Sequence, residues 1–163
     1  MKRGSTLFLK IAVILIGIPI LALCIFLLPQ IAYEAILQAG EGSDLAYIVF
    51  AILIVMYVSI IPFYFALFQA LKLLSYIDKN EAFSQISVRA LKNIKNCAIT
   101  ISGLHIVALP FVYIIAEWDD APGLILIGMV IIGASMVIAV FAAVLQRLLQ
   151  QAIHIKSEND LTV

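Results

Sequence analysis

His105 is the one side chain that could gain or lose a proton near neutral pH within the long apolar stretches of this sequence. Ser102 stands one helical turn before it. A buried imidazole can exchange protons or bind a ligand, and both chemistries need partners. No second His, no Cys and no carboxylate lies within a turn of His105. A neutral imidazole bonded to a neighbouring helix is the plainer reading. An intramembrane polar site at His105 is the sharper one.

The other reactive residue types are equally isolated. Cys24 and Cys97 each sit alone in apolar surroundings with no C-x-x-C spacing, and read as small buried hydrophobes. The acids fall into two sets. Glu34, Glu41, Asp44, Glu117, Asp119 and Asp120 lie in short connections without a nearby His, and Asp78, Glu81, Glu158 and Asp160 lie among Lys and Arg. Nothing here assembles a nucleophile, a carboxylate pair or a metal set. The expectation is a protein that is not an enzyme and holds no cofactor or metal.

The elements that carry these residues follow from composition. The chain has 163 residues, 64% hydrophobic and 12% charged, too few polar groups to cover a water-soluble domain. Four runs contain no Asp, Glu, Lys or Arg: about 11–33, 45–71, 96–116 and 121–146. At ~1.5 Å per residue the shortest crosses the ~30 Å hydrocarbon layer. The runs are too long for barrel strands and do not alternate with period two. The fold expected is all-α: a polytopic membrane protein with a four-transmembrane-helix bundle forming one membrane domain over 1–163. Pro19, Pro62 and Pro110 are expected to break three of the spans. The first run exceeds the ~7–15 apolar residues of a signal peptide, so it reads as a retained span.

Charge orients the bundle. All ten basic residues lie before the first span, between the second and third, or after the fourth. The other two connections carry only acids. The positive-inside rule then puts both termini, the hairpin 72–95 and the tail 147–163 in the cytoplasm. The absence of Asp, Glu, Lys and Arg from the spans argues against ion-coupled transport.

Two helices should extend into the cytoplasm. Ser75–Ser84 breaks the helical pattern, with turn chemistry at Asp78-Lys-Asn80 and an N-cap at Ser84. Phe83 and Val88 have the spacing of a hydrophobic staple across that cap. The third helix then starts near Gln85, with Arg89, Lys92 and Lys95 on its extension. These could bind anionic headgroups at ~1 kcal/mol each, or a protein. Leu145, Leu148, Leu149, Ala152 and Ile153 repeat with helical period, so the fourth helix should reach about Ile155. Gly128, Ser135, Ala139 and Ala142 mark a small-residue face that should pack within the bundle, with a homo-oligomer left open.

The motif Ile77-Asp78 leading to Phe83-Ser84 and Leu91-Lys92, with the terminal Glu158-Asn159-Asp160-Leu161-Thr162-Val163, resembles a bacterial membrane family known as domain of unknown function 2975. Its members often carry Gly and Pro where this chain has Asn80 and Ala82. The resemblance implies a four-span protein of the bacterial cytoplasmic membrane with no established catalysis. It also implies a gene often found beside that of a small Cro-like helix-turn-helix regulator.

Two function classes follow. In the first the protein is a regulatory membrane partner that binds such a regulator, without itself contacting nucleic acid. The docking residues would be Asp78, Phe83, Ser84, Arg89, Lys92, Lys95 and the tail Glu158, Asn159, Asp160, Leu161, Thr162 and Val163. The plainer alternative pairs Glu158 or Asp160 with the basic extension. In the second class the chain is a transporter or channel component for a small apolar compound, with Tyr57, Tyr64, His105 and Tyr113 lining the path. The orientation is testable directly. Impermeant thiol reagents applied to intact cells should label Glu41→Cys and Trp118→Cys and spare Lys79→Cys; the reverse pattern would overturn it.

Overall fold

The structure, a computed structural model, describes residues 3–162, so Lys2 and Val163 lie outside the described residues. The helices are α1 (Arg3–Ala22), a π-helical turn (Leu23–Leu27), α2 (Leu28–Gly40), α3 (Asp44–Asp78), α4 (Gln85–Trp118) and α5 (Gly123–Leu161). No strand occurs among the described residues. α1, the π turn and α2 form one continuous helical segment, so four helical segments are long and apolar enough to cross a membrane.

The helices outrun the apolar stretches that required them. α3, with 35 residues, is roughly 52 Å long and α5, with 39, roughly 58 Å, against a hydrocarbon layer of ~30 Å. The break expected over Ser75–Ser84 is confined to 79–84, because α3 continues to Asp78. Leu73, Leu74 and Ile77 keep the helical spacing past Lys72, and Asp78 is held by partners on α1. α5 likewise passes Ile155 and ends at Leu161. α3 therefore also projects at the basic end, beside α4 and α5.

The proline expectation also needs correction. Helix continues through Pro19, Pro62 and Pro110, and the irregular turn lies just before Pro29. Pro29 has no N–H, and its ring would clash with the carbonyl four residues back in a regular α-helix. Widening the turn to π geometry moves that carbonyl aside. The Leu28 N–H then donates to the Leu23 carbonyl. The Cys24 carbonyl thus loses both of its helical donors, and Tyr57 of α3 supplies one from its hydroxyl at 3.3 Å.

All three connections start alike. Gly42, Asn80 and Asp120 have left-handed φ of 79°, 60° and 49°. Just beyond each, the N–H of Ser43, Glu81 or Ala121 donates five residues back, to Gln38, Tyr76 or Ala116. This is the Schellman helix end, which satisfies carbonyls the helix leaves free. Glycine adopts that conformation without cost, and Asn and Asp tolerate it through local polar contacts. Asn80 thus does the work of the Gly that family resemblance leads one to expect there.

The helices pack in chain order. α4 lies between α3 and α5, and α1 and α2 lean on α3; α1 and α5 share no extensive contact. α4 supplies more buried positions than any other helix, many of them small: Ser87, Ala90, Cys97, Ala98, Ser102, Ala108 and Ala116. On α5 the buried set is Ser135, Ala139 and Ala142, and Gly128 faces Leu109 of α4. The small-residue face therefore packs inside the molecule, where close backbone approach strengthens dispersion contacts.

The Tyr57 bond can be checked by a double-mutant cycle. Tyr57→Phe leaves the Cys24 carbonyl unpaired and should cost ~0.6–1.7 kcal/mol in detergent unfolding. Pro29→Ala returns a backbone donor, so the Tyr57→Phe penalty should shrink sharply in that background. Equal penalties in both backgrounds would remove the assignment.

Candidate functional site

The basic end of the molecule gathers the last turns of α3, the turn 79–84, the first turns of α4 and the projecting part of α5. Its geometry starts from the α3–α4 turn. Ser84 has extended backbone (φ −137°, ψ 156°), and its Oγ accepts from the Ser87 N–H at 3.4 Å. The Ser84 hydroxyl also donates to the Glu81 carbonyl at 2.6 Å, and the fully buried Ser87 hydroxyl donates to the same carbonyl at 3.2 Å. The N-cap and the start of α4 at Gln85 are as the sequence indicates. Val88 is buried on the first turn of α4 while Phe83 stays 61% exposed.

Phe83 borders an apolar groove instead. Leu73 and Ile77 of α3, Ala82 and Phe83 of the turn, Leu91 of α4, and Leu145, Leu148, Leu149 and Ala152 of α5 line it. At about 430 Å³ it falls in the size range of ligand and peptide clefts. Leu145 and Leu148 are half or more exposed. Most of the lining lies past Lys72 or Arg147, or before Lys95, and so outside the charge-free stretches. Apolar side chains there lie where water is the expected solvent, and burying them would be favourable at ~25 cal/mol per Å².

Asp78, the other residue of the first motif, is engaged inside the molecule. It accepts from the Thr6 hydroxyl and pairs with the Lys10 ammonium, both on α1. Thr6 is fully buried, and its one hydroxyl proton is shared with the Arg3 carbonyl, 3.0 Å away. Asp78 sits six residues past Lys72, outside the apolar span. The Lys10 ammonium and the Thr6 hydroxyl, aided by the charge of Arg3, hold its carboxyl below the usual aspartate range. A depressed carboxylate favours the folded state above its unfolded pKa, and that contribution is lost as pH falls through the lower folded value. At neutral pH the contact is complete.

The remaining residues are dispersed. Arg89 and Lys92 are exposed on α4, and Lys95 is half-buried. Glu158, Asn159, Asp160, Leu161 and Thr162 form the exposed end of α5, and Val163 lies outside the described residues. Among the described residues neither Glu158 nor Asp160 pairs with the basic extension; Glu158 meets His154 one turn back, at 3.4 Å. A helix that runs straight to Leu161 carries the acids away from α4, which a tail folding back after Ile155 would not. His105 is also corrected: its Nδ1 contacts the Ile101 carbonyl of its own helix at 2.9 Å, not a neighbouring helix. Ser102 is buried, and its hydroxyl has no partner among the described residues. No group of three His, Cys, Asp or Glu side chains suited to a metal ion occurs among them either.

The groove was only half legible beforehand. The period of Leu145, Leu148, Leu149 and Ala152 marks one wall. Leu73 and Ile77 read as part of the hairpin 72–95, and nothing local links them to α5.

Comparison with known proteins gives two matches. A family model described as protein of unknown function (DUF2975) matches residues 33–163. An uncharacterized membrane protein of Bacillus subtilis (strain 168), YoaS, is 66% identical over 163 residues, covering all of both chains. No solved structure matches the chain.

The turn supports a direct check. Ser84→Ala should destabilise the start of α4 by ~0.5–2 kcal/mol, read as faster proteolysis between Lys79 and Ser84 in detergent. Ser84→Asp should behave as wild type, since a carboxylate also caps and suits the helix N-terminus. Unchanged cleavage of Ser84→Ala would remove the cap from the account.

Proposed function

The chain belongs to the DUF2975 family of membrane proteins, and we propose that it serves as a docking partner for a small cytoplasmic helix-turn-helix transcription regulator. One observation carries the reading. The apolar groove between Phe83, Leu91 and Leu148 lies beyond the membrane-spanning stretches, where lipid does not cover it. An amphipathic helix of a partner is the shape that fills such a groove, with apolar anchors at i, i+3, i+4 and i+7. Around it Lys79, Arg89 and Lys92 are exposed, favouring a partner helix with an acidic flank.

On this reading the protein lies in the bacterial cytoplasmic membrane with both termini and the groove in the cytoplasm, as the basic residues dictate. Regulation is by location: a regulator held on the groove is kept from its operator, and a regulator released from it is free to bind. The partner class rests on the family resemblance, and the docking surface on the groove.

The test separates groove from tail. Leu148→Gln and Phe83→Gln place polar groups in the groove without touching a span. Each should release the neighbouring regulator from sedimented membranes and change transcription of a reporter under its operator by several-fold. Deleting residues 158–163 removes the tail motif while leaving the groove intact, and so reports whether the tail contributes. If the full-length chain never co-purifies with that regulator, the regulatory reading is wrong. If co-purification persists in both groove variants, the docking surface lies elsewhere.

A further inference from the structure

A second apolar groove lies within the membrane, between α1 and α3. Val13, Gly17 and Leu21 line one side and Tyr64, Phe68 and Leu71 the other. Gly17 makes the close approach there: a Cβ on it would meet the Leu67 Cδ1 at 3.2 Å. Tyr64 crosses at the same level, its hydroxyl donating to the Gly17 carbonyl at 2.8 Å. This phenol is therefore bonded away, and the groove wall is almost wholly apolar.

The register of the two helices locates the groove in the bilayer. Tyr57 reaches Cys24 and Tyr64 reaches Gly17, seven residues apart on both helices. One more step of seven sets Leu71 and Lys72 level with Lys10. The groove thus runs from the basic end inward over Leu71 to Tyr64 and Val13 to Leu21. At ~1.5 Å per residue that is about 12 Å, close to one leaflet of a hydrocarbon layer ~30 Å thick.

The mouth of the groove carries an unspent cation. The Lys10 ammonium is committed to Asp78. The Lys72 ammonium instead stands 4.6 Å from the centroid of the Phe68 ring, which is itself part of the groove wall. No carboxylate pairs with Lys72 among the described residues. A positive charge at headgroup level over an apolar slot one leaflet deep matches a molecule with an anionic head and a hydrocarbon tail.

We propose that this groove is a binding site for an anionic phospholipid of the leaflet at the basic end, with one acyl chain between α1 and α3 and its phosphate on Lys72. The lipid fills the space that Gly17 opens and gives α1, which packs on α3 alone, a second surface to lean on. The site is independent of the docking reading above, since it lies inside the membrane and shares no residue with the other groove.

Native mass spectrometry of the full chain in a mild non-ionic detergent tests it, with phosphatidylglycerol and phosphatidylcholine of matched chains as probes. The wild type should retain one phosphatidylglycerol, with a preference over phosphatidylcholine of about fivefold, the worth of one lysine–headgroup contact. Lys72→Gln should bring the two lipids to parity. Ile18 borders the groove and is 55% exposed, so Ile18→Trp should fill the slot and expel both lipids without loss of folding. Equal retention of the two lipids by the wild type overturns the proposal. So does an undiminished preference in Lys72→Gln, or full retention in Ile18→Trp. A dimer that Ile18→Trp dissociates would assign the groove to a second copy of the chain instead.

Discussion

Inside hydrocarbon there is no water to bond a peptide group, so each N–H and C=O must find its partner in the protein. The fold follows from that demand. The membrane-crossing segments are helical from end to end, and each of the three connections opens with the same bonded helix end, built on Gly42, Asn80 or Asp120. Where proline breaks the rule at Pro29, the helix widens into a π turn and a phenol from the next helix reaches the abandoned Cys24 carbonyl. A defect in one helix thereby becomes a contact between two.

The same reasoning explains how α1 is held. Apolar side chains gain little by leaving lipid for one another, so helix association in membranes leans on close packing and polar contacts. α4 achieves close packing with Ala, Ser and Cys against both neighbours. α1 has few such positions and uses polar contacts instead: Tyr64 bonds its backbone, Tyr57 bonds that of the π turn that continues it, and Lys10 and Thr6 hold Asp78 at the basic end. An open row of helices results, with broad apolar faces that lipid covers.

Apolar surface has the opposite meaning at the basic end. α3 and α5 carry their leucines past Lys72 and Arg147, beyond the charge-free stretches, and Leu148 is more than half exposed there. The groove beside Phe83 and Leu148 is thus an unmet hydrophobic demand, whereas the slot beside Gly17 lies where acyl chains are the solvent. On the proposed reading, two grooves of similar chemistry differ in their occupant because one lies along the charge-free stretches and the other beyond them.

Much of this was readable in the residue order. Uncharged run lengths point to four spans, and Ser84 declares the start of α4, because each depends on local composition or on neighbours within one turn. The turn at Asn80 was legible for the same reason. Helix ends past Ile155 and at Asp78 were not, since no breaker marks them and tertiary bonds such as Asp78 to Lys10 decide them. Nor did the sequence reveal that Pro29, rather than Pro19, Pro62 or Pro110, would distort its helix, or that Tyr57 would bond the freed Cys24 carbonyl from 33 residues away. The two grooves are the plainest case: Leu73 and Leu148 come to line one groove, and Val13 and Phe68 another, only when helices distant in the chain are laid side by side. Periodicity states which face of a helix is apolar. Packing alone decides which of those faces another helix covers and which are left for lipid or a partner.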